Sequence, residues 1–227
     1  MSIAVFLPVR KGSQRVINKN NRPFANKEGG LLEVKLEQLS KLKVSEIILS
    51  TNDEKSLEYA QKISLPKLKI DVRPDSLAMS NTKLEDLISY VPTITDCEHI
   101  LWTHVTSPLV TNKIYEKAID AYFENLENGY DSLMSVTPFQ NFLWNKEIGE
   151  VENNITRELR WPRTQDLKKL YEINSAIFCA NRRIFTGKKD RIGGSPFLFE
   201  ISKIDALDVD WEDDFLIAEA VYQKLYV

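Results

Sequence analysis

The stretch IAVFLPVRKGSQRVINKN, Ile3 to Asn20, decides how this chain is read. Ile3–Val9 is short, β-branched and almost wholly apolar, the pattern of a strand buried on both faces of a sheet. It passes directly into a loop running from Arg10 to Asn20. Gly12 and Ser13 let backbone N–H groups approach an anion, while Arg10, Lys11, Arg15 and Lys19 bring charge suited to phosphate oxygens. The loop is not a Walker A motif, because GxxxxGK[ST] is absent, and a single glycine rules out GxGxxG. Five of the 13 residues from Arg10 to Arg22 are basic. Such a cluster is usually a solvated surface, but a position behind a strand turns it toward phosphate binding.

Working outward, further buried strands are expected at Glu46–Ser50, Leu68–Val72, His99–Val105, Ser132–Val136 and Ser175–Cys179. Helical spacing marks Leu31–Leu42, a helix from an Asp53 cap through Ile63, Asn112–Leu126 and Glu212–Leu225. Thr82 with Glu85 has capping-box spacing for a helix to Tyr90. Strands alternating with helices predict an α/β fold: a Rossmann-like, mostly parallel sheet with helices on both faces. Ligands in such folds lie beyond the carboxyl ends of the strands, which selects the loops after Val9, at His104–Pro108 and at Asp208–Asp210. Residues 1–227 read as one domain, with 138–171 an aromatic-rich excursion whose periodicity is weak.

With 43% hydrophobic residues over 227 positions, the chain can bury one substantial core. A net charge of −3 argues against general nucleic-acid binding, which needs a broad basic face. Cys97 and Cys179 fit no metal-ligand spacing and read as buried thiols. The start of the chain lacks a basic leader and a small-residue cleavage site, and no stretch approaches ~20 apolar residues, so no membrane span and a cytoplasmic location are expected.

Six of the ten residues from Asp205 to Asp214 are acidic. Glu212, Asp213 and Asp214 read as helix-start charges. Asp208 and Asp210 precede the helix and, two apart in an extended segment, point to one face. Converging carboxylates suit a hard cation such as Mg²⁺, although capping alone would also account for them.

The run LPVRKGSQRVINKNNRPF resembles the opening signature of the sugar-acid cytidylyltransferases, a family that includes the CMP-sialic acid synthetases and relatives acting on legionaminic, pseudaminic and Kdo-type acids. The resemblance continues in Ser50-Thr51-Asn52-Asp53, in Val72-Arg73-Pro74 with Leu77-Ala78, and in Thr106-Ser107-Pro108-Leu109. It extends to Asn174-Ser175-Ala176-Ile177-Phe178, where serine replaces the family's glycine, and to Leu207-Asp208-Val209-Asp210. It implies a fold of the nucleotide-diphospho-sugar transferase type and transfer of CMP from CTP to the anomeric hydroxyl of a 2-keto-3-deoxy sugar acid, with Mg²⁺. By the same resemblance, Arg10 and Lys19 hold the triphosphate with Gly12 and Ser13, Asn20 and Arg73 face the nucleotide, and Asp208 and Asp210 bind the metal. These four, Arg10, Lys19, Asp208 and Asp210, are the expected catalytic set. His104, Thr106, Ser107, Arg163 and Asn174 are expected on the acceptor side, Arg163 at the sugar carboxylate. The excursion is expected to form a homodimer contact.

His104 stands where sialic-acid enzymes usually have glutamine, and Glu172 where they have arginine. Gln14-Arg15 replaces a lysine-glycine pair, Arg15 being closer to the pseudaminic type. These departures favour an acidic sugar other than N-acetylneuraminate. His104 is expected either to hydrogen-bond the sugar or to assist proton removal. Two alternatives remain open: a cytidylyltransferase acting on a sugar phosphate or other phosphate ester, and a non-catalytic nucleotide-binding module.

Overall fold

The computed structural model describes residues 2–156 and 158–227. Its strands are β1 (Ile3–Val9), β2 (Glu46–Thr51), β3 (Leu68–Val72), β4 (His99–Thr103), β5 (Ser132–Phe139), β6 (Trp144–Asn145), β7 (Glu150–Val151), β8 (Leu170–Asn181) and β9 (Pro196–Glu200). The helices are α1 (Gly30–Ser40), α2 (Glu54–Lys62), α3 (Leu84–Tyr90), α4 (Asn112–Glu127), α5 (Arg182–Gly187) and α6 (Glu212–Tyr226). Among the described residues, seven strands form one sheet in the order β3-β2-β1-β4-β8-β5-β9, and β6 with β7 forms a separate hairpin.

β1 needs its unbroken apolar run because both of its faces are covered. Ile3, Val5, Leu7 and Val9 enter one cluster, packed with residues of α1, α4 and α6, whereas Ala4 and Phe6 enter a second one with Ile88 of α3 and Phe185 of α5. This is the period-2 alternation of a strand in the middle layer of three. β1 pairs in parallel with β2 on one side and β4 on the other. The chain therefore moves out from β1 through β2 to β3, then returns across β1 to β4. That reversal opens a crevice between the loops following β1 and β4.

The sheet is mixed in one place: β8 runs antiparallel between β4 and β5, while β9 returns parallel to β5. β8 is longer than the expected Ser175–Cys179, because its first residues pair with the end of β5, Phe139 opposite Leu170. Tyr171, Glu172 and Ile173 are all exposed there, which hides the strand from hydrophobic patterning. β9 had no sequence signal. The Thr82 cap is corrected: α3 begins at Leu84 with Lys83 at its cap, and the Thr82 hydroxyl donates to Ser76 O at 3.0 Å. Asp53 does stand at the N-cap of α2, but its carboxylate accepts from Asn21 Nδ2 and Ser56 Oγ rather than from a helix N–H.

Pro138 and Phe139 belong to β5, and Leu170 and Tyr171 to β8, so the excursion is narrower than 138–171. Buried Asn153 ties it together, donating to Asn141 O at 2.9 Å and accepting from Leu143 N at 3.2 Å. Both cysteines are buried and unpaired. No described helix is long and apolar enough to cross a membrane.

Candidate active site

The Arg10–Asn20 loop is anchored from within. Val16 is buried in the core, Asn20 Nδ2 donates to Arg10 O at 3.2 Å, and Leu32 N of α1 donates to Asn20 O at 2.9 Å. Gly12 has φ +77° and nothing within 4 Å of where a Cβ would be, so its backbone is open to an approaching ligand. The basic cluster divides in two. Lys11 turns out to Glu54 at 2.7 Å and Arg22 to Glu212 at 2.6 Å, whereas Arg10, Arg15 and Lys19 line the crevice.

A cavity of about 390 Å³ fills that crevice, with Arg10, Ser13, Arg15, Lys19 and Asn20 on one side and His104 and Thr106 on the other. The third loop packs beside it. Val209 is fully buried and its N–H donates to Thr106 O at 2.8 Å, which leaves Asp208 and Asp210 on the opposite side of an extended segment. Asp210 accepts from Arg15 Nη2 at 2.7 Å and lies 3.8 Å from Lys19 Nζ, which donates to Val209 O at 2.5 Å. Burial lowers the pKa of Lys19 against the pull of Asp210 and Asp208. Burial likewise raises that of Asp208, with neighbouring Asp210 adding to the rise and a Thr106 hydrogen bond opposing it. Asp214 is a helix cap, accepting from Asp210 N at 3.0 Å and Trp211 N at 2.7 Å.

The donor set fits Mg²⁺. Two carboxylates flank Val209, and among the described residues no group of three or more His, Cys, Asp or Glu side chains forms a complete cage. Mg²⁺ is commonly held in this way, by one or two carboxylates, with phosphate oxygens and water completing its shell. A cation there would also offset the burial that disfavours ionised Asp208.

One residue of this region was missed in the sequence. Lys35, in the middle of α1, is fully buried and donates to Ser107 O and to Tyr115 Oη, both at 2.7 Å. Burial pulls its pKa well below the ordinary value, opposed by the Asp208 charge. It fixes Ser107, whose neighbour Thr106 holds Val209, so a buried amine on a helix positions the aspartate segment. Helical spacing put Lys35 between apolar Leu32, Leu36 and Leu39, but a lysine there reads as surface.

The acceptor-side expectations fare unevenly. His104 and Thr106 line the cavity. His104 Nε2 accepts from Trp102 Nε1 at 3.0 Å. An indole N–H only donates, so the proton of neutral His104 sits on Nδ1. Burial, then the charges of Arg191, Lys35, Lys19 and Arg73, pushes its pKa down to about 3. Neutral and already accepting at Nε2, His104 offers a donor at Nδ1 and is a poor proton acceptor. Ser107 is fully buried with Oγ unpartnered, and lines no part of the cavity. Asn174 is buried in a network of its own: Nδ2 donates to Thr137 Oγ1 at 3.0 Å and Oδ1 accepts from Ser135 Oγ at 2.6 Å. It supports the bend where Ser175 sits at φ 57° and the β5–β8 register shifts. Arg163 is exposed in the excursion, paired with Asp166 at 2.8 Å, away from the cavity of its own chain.

Arg73 is 4% exposed, its Nε donating to Ser50 Oγ at 3.1 Å, and burial lowers its pKa to about 10. It walls a second cavity of about 270 Å³ with Leu77, Met79, Leu84 and Leu87, which adjoins the first through Arg10 and His104.

Comparison with known proteins fits this arrangement. Residues 4–206 match the model of the family described as cytidylyltransferase. The chain is 25% identical over 223 residues to an N-acylneuraminate cytidylyltransferase of Streptococcus agalactiae, covering 92% of this chain and 51% of the relative. It is 25% identical over 237 residues to a Helicobacter pylori protein named pseudaminic acid cytidylyltransferase and UDP-2,4-diacetamido-2,4,6-trideoxy-beta-L-altropyranose hydrolase, covering 98% and 43%. The chain thus spans about half the length, or less, of these curated relatives. In fold it is similar to a CMP:2-keto-3-deoxy-manno-octonic acid synthetase complexed with CTP, with a TM-score of 0.71 at 12% identity over 99% of both chains. It is also similar to a 4-diphosphocytidyl-2C-methyl-D-erythritol synthase from Anaerococcus prevotii, with a TM-score of 0.67 at 12% identity over 98% of both. With its phosphate-type loop, paired aspartates and family match over residues 4–206, this chain belongs to the cytidylyltransferase family.

Proposed function

We propose that this chain transfers CMP from CTP to the anomeric hydroxyl of an acidic 2-keto-3-deoxy sugar and releases pyrophosphate. The observation that carries this reading is the crevice lined by Arg10, Arg15 and Lys19 at the strand-order reversal, with Arg15 and Lys19 paired to Asp210, two residues from Asp208. The hydroxyl oxygen attacks the α-phosphorus and gives up its proton to water, the α–β phosphoanhydride bond breaks, and charge accumulates on the departing pyrophosphate. Arg10, Lys19 and the open backbone at Gly12 and Ser13 hold and neutralise the triphosphate, and Asn20 braces that loop. Bound at Asp208 and Asp210, Mg²⁺ would supply further neutralisation and polarise a phosphoryl oxygen. The cavity walled by Arg73 suits the base and ribose, with apolar side chains against a ring and one guanidinium for polar recognition. His104, between the two cavities, offers Nδ1–H to the acceptor.

The excursion completes the reading as a homodimer contact. Trp144 and Trp161 are 51% and 63% exposed and stack at 17°, with Phe142 edge-on to Trp161. So much aromatic surface on a small hairpin suits burial against a second copy. Arg163 would then act across the dimer. A monomer by sedimentation at micromolar concentration would remove this part of the proposal.

The reaction is tested with CTP, Mg²⁺ and a panel of eight- and nine-carbon keto acids set against sugar phosphates. CMP-sugar formation with an acid is expected. Pyrophosphate release with phosphate acceptors alone would replace the acceptor class, and binding of CTP without turnover of any acceptor would favour a nucleotide-binding module.

A further inference from the structure

Arg191 follows α5 in the run Lys188-Lys189-Asp190-Arg191, which reads as a solvated turn. Its surroundings are not those of a surface arginine. The guanidinium carbon lies 3.7 Å from the centroid of the Phe178 ring and 5.4 Å from that of Trp102. Phe178 and Trp102 are directly opposed on β8 and β4, so the guanidinium covers one cross-strand pair. Two residues beyond Trp102 is His104, whose ring accepts from the Trp102 indole and lines the crevice.

The backbone around Arg191 is held on both sides. Asp190 Oδ1 accepts from Arg191 N at 2.7 Å and Ile192 N at 3.3 Å, and Ile192 packs onto the core cluster. Asp131 then accepts from Gly194 N at 2.7 Å and Ser195 N at 3.0 Å. The Asp190 carboxylate therefore serves backbone N–H groups. Among the described residues, no carboxylate lies within ion-pair distance of the Arg191 guanidinium, and its nitrogens have no hydrogen-bond partner. Among the described residues, the sealed side-chain polar atoms without partners are Gln38 Oε1 and Ser107 Oγ, so the Arg191 nitrogens are not fully sealed, although burial lowers the guanidinium pKa to about 10. Five N–H donors in a rigid fork, held over an aromatic ring with the Asp190 charge nearby but no carboxylate in ion-pair contact, match the geometry of a carboxylate.

We infer that Arg191 binds the carboxylate of the acceptor sugar acid from within the same chain, with His104 Nδ1–H as an adjacent donor. The inference rests on the acceptor class proposed above. It assigns a cation to the acceptor side that Arg163, engaged with Asp166, does not supply within the chain. The Arg191 charge is also the largest contribution of any charged group to keeping His104 neutral, so both side chains offer donors rather than acceptors to an anion.

The test compares wild type, Arg191→Met and Arg191→Lys with CTP, Mg²⁺ and the keto-acid panel, together with the carboxamide of whichever acid is turned over. Arg191→Met is expected to raise the KM for the acid by about 10- to 150-fold, the range of a hydrogen bond to a charged group, while the KM for CTP and that for the carboxamide stay unchanged. Arg191→Lys, with the charge but without the fork, should fall between. An Arg191→Met enzyme that melts with wild type and keeps the wild-type KM for the acid would overturn the inference, leaving the arginine as a cover for the ring pair. Should Arg191→Met fail to fold, an unchanged KM in Arg191→Lys would overturn it equally. Wild-type turnover of sugar phosphates alone would instead sink the acceptor reading, and this assignment with it.

Discussion

The two sides of the crevice manage charge differently. On the side proposed for the nucleotide, cations are matched by acceptors across the fold: Arg15 with Asp210, Lys19 with Asp210 and the Val209 carbonyl, and buried Lys35 with the Ser107 carbonyl. On the side proposed for the acceptor, the polar groups are donors without ion-pair partners, His104 Nδ1–H and the Arg191 guanidinium over Phe178. A triphosphate with a divalent cation needs both signs of charge in one place, and a side chain of each sign keeps the other in position. An anionic acceptor needs donors only. On the proposed reading, the contrast separates residues that would perform chemistry from residues that would choose what is transformed.

Several substitutions would break or sharpen that contrast. Asp208→Ala should have the largest effect, lowering the rate of pyrophosphate release by about 10²–10³-fold, the scale for removing one electrostatic stabiliser. If it bound CTP and metal as the parent does, the metal assignment would fail. Lys35→Met leaves Ser107 O and Tyr115 Oη without a buried donor and should cost about 1–3 kcal/mol in urea unfolding. It should also weaken turnover through displacement of Asp208, and unaltered turnover would remove Lys35 as a positioning residue.

His104 makes a pH prediction. With a folded pKa near 3 against 6.5 for the free side chain, the unfolded chain binds the extra proton first as pH falls. Stability should therefore decline from about pH 6.5 toward about pH 3, and His104→Gln should flatten that decline. A rate inflection near pH 6–7 that His104→Gln abolishes would restore a proton-accepting role. The smallest effect is expected at Ser175, whose φ of 57° disfavours a side chain. Ser175→Gly should stabilise the protein by about 0.5–1 kcal/mol, strain relief exceeding the entropy glycine adds to the unfolded chain. Destabilisation would mean that the Ser175 side chain is needed at the bend.

Much of the fold was legible. β1, β2, β3, β4, α4 and α6 show in apolar runs and helical spacing, because each buries side chains in a periodic way. β9 and the first half of β8 do not, because exposed Tyr171, Glu172 and Ile173 carry no alternation and their pairing with β5 is made elsewhere in the chain. Of the candidate site, local order shows the basic loop and the extended acidic segment, while resemblance to the family's motifs singled out Arg10, Lys19, Asp208 and Asp210. Asn174 and Ser107 belong to the same recognisable motifs, yet the fold uses them as buried supports.

The sequence alone determined the parallel α/β layering, the basic loop behind β1 and the extended Asp208–Asp210 segment, since periodicity and residue order are local properties. Only the tertiary structure decided which charges meet. Arg15 and Asp210 are separated by 195 positions yet lie 2.7 Å apart; Lys35 is buried although a lysine is ordinarily exposed; and Arg191 leaves a charged run to lie over a ring of β8. Pairing energies depend on distance and burial across the sheet, and neither is written in the spacing of residues along the chain.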